Sequence, residues 1–101
     1  MIGRRRPDMP LGDLPADIQP GDYWKVLDDP RAADSPTGTV WMIVGPEPGY
    51  GVGTLVHHTV REHDDGTISV RPGDGSSNSI LLVGAHGKTW HGYIEHGDWH
   101  L

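Results

Sequence analysis

Six of the nine prolines in this chain fall before Thr37, at Pro7, Pro10, Pro15, Pro20, Pro30 and Pro36. Each removes a backbone donor and clashes with the preceding turn, so no uninterrupted long helix fits that stretch. Residues 1–21 therefore read as an extended, Pro-rich arm, and residues 22–101 as one β domain. Glycine and proline together make up about a quarter of the chain, a loop-rich composition. No segment carries the periodicity of a helix longer than about two turns.

From Gly21 onward, β-prone runs alternate with turn residues. Gly21-Asp22-Tyr23-Trp24-Lys25-Val26-Leu27 reads as a short strand docked on the domain, and Asp28 to Gly38 as a loop. Thr39-Val40-Trp41-Met42-Ile43-Val44 is apolar on both faces, which suits a central strand. Thr54 to Glu62 is β-branched, and Asp65-Gly66 supplies the positive-φ residue of a tight turn. Thr67 to Arg71 alternates with Ile68 and Val70 inward, so the sequence predicts a hairpin of residues 54–62 with 67–71. Pro72 to Ser77 is a turn cluster. Asn78 to Val83 is the next strand, with Ile80 and Leu82 on one face, and Gly84 to Gly87 turns. Lys88 to Glu95 is the last long strand. Trp90 and Ile94 lie on one of its faces, and His91, Tyr93 and Glu95 on the other. His96-Gly97 then turns the chain so that Asp98 to Leu101 returns. The expected fold is all-β: a small antiparallel sheet, sandwich or open barrel of five to seven strands.

A chain of 101 residues is one domain by size and buries about 65% of its unfolded surface. Phe and Cys are both absent. Trp and the aliphatics must fill the core, and no disulfide framework, thiolate zinc site or cysteine nucleophile is possible. The longest apolar run, Val40 to Val44, is far short of a membrane span. No apolar stretch follows the basic start, so no secretory signal is read. The expected location is the cytoplasm. Net charge is −6, which opposes broad binding to nucleic acid. The one basic cluster, Arg4 to Arg6, reads as a solvated, disordered terminus.

Several kinds of side chain have the types that chemistry requires. His57, His58 and His63 lie in the middle of the chain, and His91, His96 and His100 in the tail. With Glu62, Glu95 or Asp98 they have the donor types zinc uses, but no spacing is diagnostic of a metal motif. No metal and no cofactor are expected. Paired acids for glycosyl transfer would have to come from Glu62, Asp64, Asp65, Glu95 and Asp98, most of them at turns. Gly49-Tyr50-Gly51-Val52-Gly53 leads into a strand rather than a helix, and Arg71 to Asn78 lacks the Lys-Ser/Thr of a phosphate loop, so both read as turns. A serine among Ser76, Ser77 and Ser79 would need a base such as His86 or His91. Tyr23, Trp24, Trp41, Trp90, Tyr93 and Trp99 carry the large apolar surface. Trp24, Trp41 and Trp90 read as core, with Tyr93 and Trp99 in an exposed patch.

The segments Ile68-Ser69-Val70, Ser79-Ile80-Leu81 and Thr89 to Trp99 resemble uncharacterised small proteins of phages and prophages. Those proteins pair a segment ending in Ser-Ile with a terminal Trp/Cys-His-x-x-Ile-x-x-Gly. The likeness covers residues 66–101, with His91, Ile94 and Gly97 at the motif positions. Residues 22–71 look similar to small accessory proteins of actinobacterial phages, through Gly21 to Lys25 and Asp64 to Val70. Many such relatives carry cysteines suggestive of a metal knuckle, which this chain lacks. The resemblance implies a phage context, and therefore a host cytoplasm, without an activity.

The expected function is thus a non-enzymatic phage-type accessory protein that binds a host or phage protein or self-assembles into a homo-oligomer. The expected partner-binding residues are Tyr93, His91, Glu95, Trp99, Tyr23 and Trp24. The rival is a small metal- or His-dependent hydrolase or a nucleotide-binding, signal-sequestering protein.

Overall fold

A computed structural model describes residues 1–72 and 79–101. The architecture is all-β, with three small sheets, none closed into a barrel. The strands are β1 (Met9–Pro10), β2 (Tyr23–Leu27), β3 (Val40–Val44), β4 (Val52–Leu55), β5 (Arg61–Glu62), β6 (Ile68–Ser69), β7 (Ile80–Val83), β8 (Thr89–Glu95) and β9 (Asp98–His100). The first sheet runs β1-β2-β3-β4, the second β5-β6 and the third β7-β8-β9. Among the described strands the pairings are antiparallel except β1 on β2. Among the described residues the only helical pieces are single 3-10 turns at Pro30–Asp34 and Ala85–Gly87. No helix among them is long and apolar enough to cross a membrane.

The alternation read from sequence sets the inner faces. Ile80 and Leu82 of β7 and Trp90 and Ile94 of β8 point inward. They meet Tyr23, Trp41, Ile43, Leu55, Val60, Ile68, Val70 and Trp99 in the main core. Indoles and one phenol thus supply the bulk that Phe would otherwise give. Trp24, Val26 and Val40 form a second, smaller cluster on the opposite face of the first sheet. β3 is central, paired on both sides, as its two-sided apolar pattern requires.

The expected hairpin of residues 54–62 with 67–71 is corrected. Thr54 and Leu55 belong to β4 and pair with β3. Residues 56–58 bend, and only Arg61 and Glu62 pair with Ser69 and Ile68. Leu55 and Val60 enter the main core while Val56 packs on the smaller cluster, so one straight strand cannot serve both. The turn itself forms as expected: Gly66 has φ +86° and its N–H donates to the His63 carbonyl.

The N-terminal segment is also corrected. It is largely exposed, but it is not short of internal contacts. The Trp99 N–H donates to the Met1 carbonyl and the Gly3 N–H to that of Gly97, while the Tyr23 and Arg6 N–H groups bond the Arg4 and Tyr23 carbonyls. Ile2 thus bridges β9 and Arg5 bridges β2. The segment staples the third sheet to the first. The arginines fix it there. Arg4 grips the buried Asp22 carboxylate through Nε (3.0 Å) and Nη2 (2.8 Å). Arg6 holds Asp17 at 3.0 Å and reaches Asp22 at 3.4 Å. Arg5 pairs with Asp8 (2.7 Å) and Glu62 (3.0 Å).

Candidate functional site

Tyr23, Trp24 and Trp99 lie in the core. Trp99 is not in an exposed patch: its Nε1–H donates to the buried Gly21 carbonyl at 3.0 Å, and its ring meets Trp90 edge-on at 5.2 Å. The staple segment covers β9 and drives this indole inward, which strand alternation alone does not reveal. The accessible part of the expected partner-binding set narrows to His91, Tyr93 and Glu95, all on the outer face of β8.

That face is a short polar and aromatic row. Tyr93 stacks on His100 across the strands, with ring centres 5.0 Å apart and planes 13° apart. The Arg71 guanidinium sits 5.4 Å from the Tyr93 ring centre and pairs with Glu95 at 2.9 Å. Asp98 accepts from the Met1 ammonium at 3.1 Å and lies 3.2 Å from His100. The Met1 ammonium, and His100 secondarily, holds the Asp98 carboxyl below its ordinary value. His91 stands opposite Leu81 in the register, with its Nε2 2.7 Å from Ser79 Oγ. Leu81 and Val83 project outward, 62% and 68% exposed.

The histidines do not converge on a metal. Among the described residues no three His, Asp or Glu side chains are grouped to hold one. His58 and His91 both reach Ser79, but at different atoms: His58 Nε2 lies 3.2 Å from its carbonyl and His91 from its hydroxyl. His57 and His86 are exposed. His63 and His96 form a separate unit around buried Ser69. Their rings stack at 3.8 Å, Ser69 Oγ lies 2.7 Å from His63 Nε2, and it accepts the His96 N–H at 2.9 Å. No spacing announces this unit. It is created when the β5–β6 hairpin docks on the β8–β9 turn, through the Gly97 N–H to the Ile68 carbonyl.

Three of the candidate acids pair with cations, Glu62, Glu95 and Asp98, while Asp65 accepts from the Thr67 N–H and hydroxyl. Glu62 holds Lys25 (2.9 Å) and Arg5. Burial alone would raise its carboxyl, but those two cations outweigh it and keep it low. Gly51 uses its carbonyl in a turn with the Gly45 N–H, and Lys88 Nζ lies over the Tyr50 ring at 4.5 Å and on the Pro48 carbonyl. The glycine run turns only at its start, around Gly49 to Gly51, and Val52 and Gly53 already belong to β4, paired with Val44 and Ile43. Gly73 to Asn78 lie outside the described residues, and with them the Ser76 and Ser77 candidates and most of the second loop.

Cavities open at two places away from His91, Ser79 and His63. The larger, about 170 Å³, is lined by Trp90, Trp99, Pro46, Glu47, His100 and the chain ends. The smaller, about 40 Å³, lies under the arm between Leu11, Leu14, Trp24 and Met42. On the outer face of β8, His91 is exposed and Tyr93 and Glu95 are half-buried, a surface suited to a broad contact. Comparison with known protein families, with curated proteins and with solved structures gives no match.

Proposed function

We propose that this chain is a small non-enzymatic accessory protein that works by protein contact through the outer face of β7 and β8. One observation carries the reading. Tyr93 is braced by His100 and Arg71 on the strand whose neighbour presents exposed Leu81 and Val83 opposite His91 and Thr89, which gives a pre-ordered aromatic anchor on a face that also carries apolar side chains. A tyrosine held in place loses little entropy on contact and is the type of residue that dominates interfaces. The phage likeness supports the same surface. Of its three motif positions, Ile94 is explained by the core and Gly97 by a turn at φ +77°. His91 alone remains exposed, where a contact can use it. The host cytoplasm is the proposed place of action.

The test compares the intact chain with Tyr93→Ala as bait in host lysate. Wild-type bait is expected to retain a specific protein that Tyr93→Ala loses, with tryptophan emission unchanged. Equal recovery by both baits refutes the reading. Deleting residues 1–21 is not a clean test, because it removes the Arg4–Asp22 grip along with the arm.

A second reading, a small His-dependent hydrolase, is favoured by the 2.7 Å approach of Ser79 Oγ to His91 Nε2, the pairing of a nucleophile with its base. Hydrolysis of an activated ester that disappears in both Ser79→Ala and His91→Ala would establish it over the contact reading.

A further inference from the structure

The edges of the three sheets are treated unequally. A strand edge presents unpaired N–H and C=O groups and invites another strand unless it is short, charged, interrupted by proline or covered. β1 is two residues long and ends in Pro10. β5 is two exposed, charged residues, Arg61 and Glu62. β9 is covered by Met1 to Gly3. β4 is uncharged, as β7 is, but its Val52 and Thr54 are half-buried where Leu81 and Val83 of β7 are exposed. Among the described residues, β7 is neither as short as β1 and β5, nor charged, nor interrupted by proline, nor covered.

The register shows which groups of β7 are open. The Gly84 N–H donates to the Lys88 carbonyl, and Val83 faces Thr89. Antiparallel bonding alternates, so Leu82 and Ile80 spend their backbone groups on β8. Leu81 and Val83 point theirs away, and among the described residues nothing bonds them. The window is bounded at both ends: His58 caps the Ser79 carbonyl at 3.2 Å, and Gly84 lies against the Gly49 backbone. From Ser79 to Gly84 no side chain is charged, although the chain carries −6 overall. A second copy meets no like-charge repulsion from this strand.

We propose that β7 pairs antiparallel with β7 of a second copy about a two-fold axis at Leu82. This rests on the contact reading above and names the partner at its edge. In that register Leu81 faces Val83 of the other copy, and the reverse. Each such pair exchanges both of its backbone hydrogen bonds, so the four open groups of one copy meet the four of the other with none left over. The exposed Leu81 and Val83 side chains of the two copies become cross-strand neighbours on one face, the unit of sheet stabilisation. The two third sheets join into one of six strands. A four-residue strand pair falls below the roughly 1,200 Å² of a stable interface, so the dimer is concentration-dependent.

Sedimentation of the intact protein from about 10 μM to 1 mM, the range of weak association, is expected to show mass rising from monomer toward dimer. Val83→Lys, at an exposed position, is expected to weaken association at least about tenfold with unchanged circular dichroism. The register is tested by cysteine crosslinking on the cysteine-free background. Facing residues of a bonded pair lie about 5.5 Å apart, within disulfide range. Oxidising an equimolar mixture of Leu81→Cys and Val83→Cys proteins is expected to give the mixed disulfide several-fold in excess of either homodimer. Monomer mass throughout the wild-type series, association unaffected by Val83→Lys, or random crosslinking each overturns the proposal. The bait comparison at Tyr93 uses another residue and another readout, so loss of the dimer and loss of the contact reading are separable.

Discussion

Asp22 is where the staple meets the sheet, and Asp22→Ala measures what that junction contributes. The carboxylate is 1% exposed and accepts from Arg4 Nε at 3.0 Å, Arg4 Nη2 at 2.8 Å and the Gln19 N–H at 2.9 Å, with Arg6 at 3.4 Å. Hydrogen bonds to a charged group contribute about 1.5–3 kcal/mol each. Removing one member of a fully buried pair costs about 3–5 kcal/mol, because the other charge is stranded. Arg4 is 48% exposed and rehydrates when its partner is lost, so the expected loss is lower, about 2–3 kcal/mol. For a domain of this size that lowers the melting temperature by about 10–20 °C. Urea unfolding is expected to show a lower midpoint at unchanged slope. A cycle with Arg4→Ala is expected to be strongly non-additive.

The pH dependence gives a second check on the same junction. Burial would raise the Asp22 carboxyl, but Arg4, the Gln19 N–H and Arg6 outweigh it and hold the folded value below the ordinary one. The stability from these contacts is therefore complete above the unfolded value, about 3.9. It is lost as pH falls through the folded value. The gap between wild type and Asp22→Ala is expected to be constant near neutrality and to shrink below about pH 4. A loss under about 1 kcal/mol, an additive cycle, or a gap that does not narrow in acid would refute the account of the staple.

The buried Tyr23 hydroxyl forms no hydrogen bond of normal geometry. Burial raises its ionisation above the ordinary phenol value, with Arg5 and the Ile68 backbone acting in the opposite direction. Tyr23→Phe is expected to be neutral or stabilising, within about 1 kcal/mol; a loss above about 2 kcal/mol by urea titration would reveal a partner for that hydroxyl. Gly97 holds φ +77°, and a Cβ there would sit 2.8 Å from that same hydroxyl and 3.4 Å from Thr67. Gly97→Ala is expected to cost about 2 kcal/mol or more and to recover part of that loss when combined with Tyr23→Phe, whereas full additivity of the two changes would place the strain in the backbone alone.

Part of the candidate surface is legible in the sequence alone. Alternation in β8 separates His91, Tyr93 and Glu95 from Trp90 and Ile94, because a strand turns successive side chains to opposite faces whatever it pairs with. The same rule misplaces the stretch from Thr54 to Glu62, where continuous β propensity hides a bend between two sheets. It also leaves Tyr23, Trp24 and Trp99 as candidates for contact. Their burial depends on residues far away in sequence: Gly21 receiving the Trp99 indole, and Met1 to Gly3 lying over β9. The Ser79–His91 and His63–Ser69–His96 groupings are invisible for the same reason, since each spans strands whose register the sequence does not state.

The all-β class is already written in the local pattern of the chain. Its prolines and glycines exclude long helices, its alternating runs fix inner and outer faces, and Asp65-Gly66 and His96-Gly97 place two turns. These are local consequences of backbone sterics and side-chain period. Long-range packing sets which strands are neighbours, ties the N-terminal segment down through three arginines, and leaves β7, among the described residues, as an open apolar edge. Those outcomes rest on charge pairs and backbone bonds between residues up to 98 positions apart. No local pattern encodes which distant partner satisfies a given group.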